Sequence, residues 1–237
     1  FARGYAHLSF THLVAWLNGW DSPPDSRKGK VSMKKVREYA DKAVGRDKEN
    51  ADYDNLWSLG LAQVYGGELD EAIKTYERAI KNARAQGAAP INIHAIRIDL
   101  ADAYMFKGGE KNIDKAIDLA RKALEAGPTP QRWFKWTLGW CYYEAAFIKN
   151  DSSYYELAHE ALSGFKRPDT LAAKVLIATK IALGRKEEAQ RLAAGFMATQ
   201  GYTLKLEERW PYPKDDANAA RFENYVGHLR EAGLPDG

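Results

Sequence analysis

Apolar and small residues recur along most of this chain at spacings of three and four positions. Within residues 70–80, for example, Ala72, Tyr76 and Ala79 fall at positions i, i+4 and i+7, which is one face of a helix. The chain lacks the alternation of apolar and polar residues that is typical of half-buried strands. The pattern therefore predicts an all-α fold.

The helical pattern repeats, and its clearest copy lies at residues 56–80. Residues 56–67 predict a first helix that ends at Gly67, and residues 70–80 predict a second. Small residues at Gly60 and Ala62 would let the second helix approach the first closely. This helix-turn-helix unit of roughly 34 residues resembles the tetratricopeptide consensus. The resemblance implies a right-handed α-solenoid of stacked helix pairs.

The same template, moved along the chain, predicts about five helix pairs followed by a C-terminal helix. The five units span about 1–46, 54–84, 94–127, 132–164 and 170–200, so that the solenoid covers 1–201. The turns differ in length, and the inserted loop at 21–30 contains helix-breaking Pro and Gly. Residues 202–237 form a linker and a capping helix from about 216 to 232. One side of that helix carries Phe222, Tyr225, Val226 and Leu229.

In a tetratricopeptide solenoid the first helix of each unit lines a concave groove, and here that face is apolar and aromatic. The expected groove residues are Trp57, Leu61, Tyr65, Ile98, Met105, Phe106, Trp133, Trp136, Trp140 and Tyr143. The four rings of the fourth unit alone, if half-covered, would expose roughly 300–500 Å², as much as the largest patch of ordinary monomers. We therefore expect the groove to be covered.

Two occupants of the groove are open at this stage. One is an amphipathic helix or peptide of a partner protein, docked in the helix-in-groove manner. The other is the C-terminal helix of the same chain with its apolar stripe turned inward, and the single stripe of that helix favours this occupant. The Lys, Asn and Arg side chains with which chaperone-type tetratricopeptide domains hold a terminal carboxylate have no counterparts on the groove faces of the first two units.

Charge and composition exclude several classes of function. The chain has 35 Lys and Arg against 32 Asp and Glu, and the two signs are interleaved, so no basic stripe for nucleic acid is predicted. The longest apolar runs fall short of the roughly 20 residues that span a bilayer. A single cysteine permits no internal disulfide, which is compatible with a cytoplasmic location.

The reactive residue types do not form a pattern that indicates chemistry. Cys141 occupies the position held by Ala62 and Ala103 in neighbouring units, where a small buried residue is needed. The five histidines are scattered and lack metal-ligand spacing. The pairs Gly66–Gly67 and Gly108–Gly109 lie in turns and lack the spacing of phosphate-binding loops. We predict no catalytic residue, no metal and no cofactor, and hence no enzyme.

The two ends of the chain carry a second resemblance. Residues 1–13, 209–215 and 228–236 look like the tetratricopeptide C-terminal regions of bacterial class III adenylate/guanylate cyclases and related regulator proteins. Pro213 interrupts the first tail motif, and Glu231 stands where the second usually has a base. The opening residues look like the inside of a helix and predict more chain upstream. The resemblance implies a regulatory or assembly module beside a cyclase-type or regulator domain that this chain does not contain.

The sequence thus predicts a scaffold for protein-protein interaction or regulation. Its expected partner is a protein or peptide, including the chain's own C-terminal helix, an upstream domain or a second copy in a homodimer. The alternative is a sensor that encloses an apolar or aromatic small molecule in the groove. Such a sensor would need a closed pocket with a few convergent polar groups, whereas peptide capture needs an open groove.

Overall fold

The computed structural model describes residues 2–17, 32–45, 51–125, 132–164, 170–200 and 203–236. Within these ranges every regular element is helical, so the predicted all-α class is confirmed. The predicted loop at 21–30 lies outside the described residues, as do the unit boundaries near 46, 127 and 201.

The described part of the chain contains α-helices in succession and one short 3-10 helix. The α-helices are α1 (Ala2–Leu17), α2 (Met33–Val44), α3 (Tyr53–Tyr65), α4 (Leu69–Ala85), α5 (Pro90–Lys107), α6 (Glu110–Glu125), α7 (Arg132–Ile148), α8 (Ser153–Ser163), α9 (Thr170–Ala182), α10 (Lys186–Gln200) and α11 (Asp216–Glu231). The 3-10 helix spans Leu204–Arg209 and was not predicted. Helices that follow one another pack in pairs: α1 with α2, α3 with α4, α7 with α8, and α9 with α10.

Glycines let the two helices of a pair approach closely. A Cβ built on Gly60 of α3 would lie 2.3 Å from Cε1 of Tyr76 on α4, so only glycine fits beneath that ring. In the same way a Cβ on Gly139 of α7 would lie 2.5 Å from Cγ of Leu162 on α8. The close approach predicted at Gly60 is therefore present, and α7 and α8 repeat it.

The chain forms two compact units. The first comprises Phe1–Ala103 with Arg209–Pro211, and the second comprises Tyr104–Glu208 with Tyr212–Gly237. In the first unit α3 packs on α1, α2 and α4. In the second unit α7 packs on α6, α8 and α9, and α11 packs on α9 and α7. The candidate site described below lies within the second unit.

The C-terminal helix is present within one residue of its predicted bounds. Asp215 caps its N-terminus, where the carboxylate accepts a hydrogen bond of 3.0 Å from the backbone N–H of Asn218. Gly233, at φ +95°, ends the helix, and the N–H of Leu234 bonds the carbonyl of Leu229 at 3.2 Å. Across the described residues, a helix with the length and apolar character needed to cross a membrane is not found.

Candidate functional site

Three aromatic residues of α7 form a continuous surface in the second unit. Trp136, Trp140 and Tyr143 follow one another at spacings of four and three, which places them on one side of the helix. The ring centroids of Trp136 and Trp140 are 5.4 Å apart. We call these three residues the α7 aromatic face. All three are buried, which means that something covers the face.

The cover is α11. The ring of Tyr225 lies 5.7 Å from the ring of Trp140 and 5.7 Å from that of Tyr143. Tyr225 and Leu229 are fully buried. Of the two occupants that the sequence left open, the structure therefore has the chain's own C-terminal helix on the α7 aromatic face.

The apolar stripe of α11 differs in two positions from the stripe expected from the sequence. Phe222 is only half-buried, with its ring 5.5 Å from that of Tyr212. Arg221 is instead buried in the middle of the contact, with an exposed fraction of 3%. The face of α11 toward the body thus carries a guanidinium as well as apolar residues.

Arg221 forms a buried ion pair with Glu144 of α7. Its Nε donates a hydrogen bond of 2.9 Å to Oε2 of Glu144, whose exposed fraction is 1%. The other carboxylate oxygen accepts hydrogen bonds from the indole of Trp140, at 3.2 Å, and from the hydroxyl of Tyr212. The buried carboxylate is therefore fully partnered, which is the condition under which a buried charge is tolerated.

The remaining donors of Arg221 cap the C-terminus of α5. Nη2 donates to the carbonyl of Met105 at 2.8 Å, and Nη1 donates to that of Phe106 at 3.3 Å. These carbonyls lie in the last turn of α5, where the helix dipole favours a cation. A Cβ on Gly108 would lie 2.4 Å from Nη1, so the glycine leaves the space that the guanidinium fills.

Further polar contacts hold the C-terminal segment in the second unit. The hydroxyl of Tyr143 lies 2.7 Å from Nδ1 of His228, and burial lowers the pKa of this histidine. Lys174 of α9 donates to Glu207 of the 3-10 helix at 2.5 Å, and both residues are buried. These two contacts add to the polar links that the Arg221 cluster makes between the C-terminal segment and the rest of the second unit.

The first unit holds a separate polar cluster. The indole N–H of Trp57 donates a hydrogen bond to the carboxylate of Asp99. Burial raises the pKa of Asp99 to about 7, and the hydrogen bond from Trp57 opposes this rise. Tyr65 packs on Trp210, with ring centroids 5.9 Å apart.

The expected groove residues are divided between the two units. Trp57, Leu61, Tyr65 and Ile98 belong to the first unit, and Met105, Phe106, Trp133, Trp136, Trp140 and Tyr143 belong to the second. Ile98, Met105 and Phe106 are core residues rather than an open surface. Trp133 is half-buried, with its ring 4.8 Å from that of Phe134, and Leu61 is half-buried. In the second unit Phe106 does contact the α7 aromatic face, with its ring 5.3 Å from that of Trp140.

Periodicity did not identify the charged residues of the site. Glu144 and Lys174 each stand alone in an apolar stretch, and a lone charge in such a stretch is the signal that could have marked them. Arg221 gave no such signal, because its neighbours in the sequence are polar as well as apolar. Only the fold shows that it meets Glu144.

The described residues contain no group of three or more His, Cys, Asp or Glu side chains that could hold a metal ion. Cys141 is buried, in keeping with the position predicted for it.

Comparison of the sequence with protein-family models and with curated proteins gives no match.

Proposed function

We propose that this chain is a protein-interaction scaffold of the tetratricopeptide type that binds an amphipathic helix on the α7 aromatic face. Its own segment Lys214–Asp236, which contains α11 and is called the tail helix below, is the resident occupant of that face. The observation that carries the proposal is the way α11 docks. One stripe of anchors enters an aromatic surface, as a peptide helix does when it binds in a groove.

The tail helix has the properties of a self-contained ligand. Both of its helix ends are capped by its own residues, Asp215 at the start and Gly233 at the end. A helix that supplies its own caps does not need the body to satisfy the backbone groups at its ends. Lys214 and Asp215 are exposed, so the chain reaches the helix through a solvent-facing connection.

Displacement of the tail helix would give the scaffold a regulatory state. A partner helix with matching anchors would compete with the tail helix for the α7 aromatic face. Release of the tail helix would then signal that the partner is bound. The resemblance to the C-terminal regions of class III cyclases adds the proposal that a cyclase-type or regulator domain lies next to the module. Among the described residues no observation favours the alternative of an apolar small-molecule sensor.

The test is an exchange experiment on the folded protein. A protease site is inserted between Pro213 and Lys214, and the purified protein is cut after folding. A fluorescent synthetic peptide of Lys214–Asp236 is then added, and its anisotropy is followed. The control peptide carries Tyr225→Ser and Leu229→Ser, since these two side chains are fully buried against the body.

We expect the cut protein to stay helical, to exchange its tail for the labelled peptide, and to ignore the control peptide. The uncut protein should bind the labelled peptide far more weakly, because its own tail is present at a high effective concentration. Loss of helicity upon cutting would contradict the proposal, since the tail would then be part of the core. Equal binding of the native and control peptides would contradict it as well.

A further inference from the structure

We infer that the α7 aromatic face selects helices that present an arginine one turn before an aromatic residue and two turns before an aliphatic one. This inference rests on the proposed function and adds the chemistry of the partner. The tail helix supplies the template: Arg221, Tyr225 and Leu229 follow one another at spacings of four. Val226, next to the aromatic position, is also buried.

The body offers the arginine a set of acceptors that a helix must match with donors. Oε2 of Glu144 and the carbonyls of Met105 and Phe106 all accept hydrogen bonds from one guanidinium. None of these acceptors belongs to the tail helix. An occupant without a cation would leave the buried Oε2 of Glu144 and the last carbonyls of α5 without the guanidinium donors they now have.

The geometry of these acceptors requires arginine rather than lysine. Nε, Nη1 and Nη2 of Arg221 each donate to the body, so the contact uses three nitrogens of a planar fork. A lysine presents a single ammonium on a flexible stem and cannot place donors at three separated acceptors in the same way. A helix with lysine in place of this arginine keeps the charge but should bind much more weakly.

Gly108 gives the arginine its space. A Cβ at this residue would lie 2.4 Å from Nη1 of Arg221 and 2.6 Å from Oδ1 of Asn218. Gly109 follows with a similar backbone, at φ +81° against +74° for Gly108, and a Cβ there would meet nothing within 4 Å. The two glycines form a matched pair, because alanine is strained at both but obstructs the arginine only at Gly108.

The aromatic and aliphatic anchors complete the recognition pattern. Tyr225 inserts between Trp140 and Tyr143, which gives it two ring contacts on the α7 aromatic face. Leu229, one turn further, is fully buried. An aromatic ring and a leucine are typical anchors of helices bound in grooves. The arginine distinguishes these helices from helices that match the face only through their apolar anchors.

The experiment measures peptide binding to the protein cut between Pro213 and Lys214. The labelled peptide competes with the cut tail for the α7 aromatic face. Three labelled peptides of Lys214–Asp236 are compared: the native sequence, Arg221→Lys and Arg221→Met. We expect both substitutions to raise Kd at least about 30-fold, as for the loss of one partner of a buried charge pair. A designed Ala-, Glu- and Lys-based helix that carries only Arg, Tyr, Val and Leu at the tail spacing should compete, and the same helix with Lys in place of Arg should not.

The body variants supply the second half of the test. Gly108→Ala should weaken the native peptide about 10-fold or more and weaken the Arg221→Met peptide less, since only the contact with Asn218 then remains, whereas Gly109→Ala should affect both peptides equally. Should Gly108→Ala fail to fold, the comparison of Arg, Lys and Met peptides still decides. Binding of all three within about threefold would overturn the arginine rule and leave the proposed function intact. Failure of every peptide, the native one included, would instead count against the proposed function itself.

Discussion

Replacement of Arg221 by methionine should destabilise the second unit strongly, although it keeps an unbranched apolar stem. The guanidinium is 3% exposed and donates to Glu144, Met105 and Phe106. Removal of one partner of a buried ion pair leaves the other charge buried without compensation, at a cost of about 3–5 kcal/mol. The hydrogen bonds of Trp140 and Tyr212 to the carboxylate remain, so we expect about 3 kcal/mol.

A second substitution distinguishes the ion pair from a packing defect. The stability lost in Arg221→Met is due largely to the unpaired buried charge of Glu144. Adding Glu144→Gln to this variant should therefore restore about 1–3 kcal/mol of the free energy of unfolding. The amide oxygen can still accept from Trp140 and Tyr212. Arg230→Met on the same helix is the control. Its ion pair with Asp236 is exposed, and the change should remain within about 0.5 kcal/mol.

The assay is urea unfolding followed by circular dichroism and tryptophan emission, with free energies compared at equal m-values. If Arg221→Met costs no more than Arg230→Met, the buried ion pair does not stabilise the fold. If Glu144→Gln destabilises the Arg221→Met protein further, the unpaired charge of Glu144 is not the cause of the loss.

Two more predictions concern Gly60 and Asp99 of the first unit, with a control at Gly195 of the second. Gly60→Ala should destabilise the protein by about 1–3 kcal/mol, because the new Cβ would lie 2.3 Å from the ring of Tyr76. Gly195→Ala should stabilise the protein by about 0.5–1 kcal/mol, because its Cβ would meet nothing within 4 Å. The melting temperatures of the two variants test both expectations. Asp99 has a folded-state pKa of about 7 against 3.8 in the unfolded chain, so its contribution is complete below pH 3.8 and is lost as the pH rises through 7. Asp99→Asn should therefore be more favourable relative to the natural protein at pH 8 than at pH 4.5 by about 1–3 kcal/mol in urea titrations, and an identical difference at both pH values would contradict the burial of this carboxylate.

Periodicity predicted the helical class and the position of α11 because both follow from local patterns. Ala72, Tyr76 and Ala79 are all buried, as their spacing on one helical face indicated. Asp215 and Gly233 limit α11 through capping chemistry that is visible in the sequence. Where the signal is carried by residues within one turn of each other, sequence reasoning succeeds.

The centre of the candidate site could not be predicted in this way. Arg221 and Glu144 are 77 positions apart, and nothing in either neighbourhood indicates the other. The distribution of the expected groove residues between two units also depends on the tertiary fold. Met105 and Phe106 were expected to line a groove through their side chains, yet their backbone carbonyls at the end of α5 receive the guanidinium. Every residue type has a backbone carbonyl, so a contact to one cannot be predicted from the residue type.

Native-state hydrogen exchange shows most directly whether the tail helix is a displaceable occupant of the α7 aromatic face. The amides of α11 should exchange together through an opening that requires less free energy than the exchange of α7. Arg221→Met should lower the opening free energy of α11 by more than that of α7. If the amides of α11 and α7 exchange only together, through global unfolding, and Arg221→Met shifts both equally, the tail helix is an integral part of the core and the account is wrong.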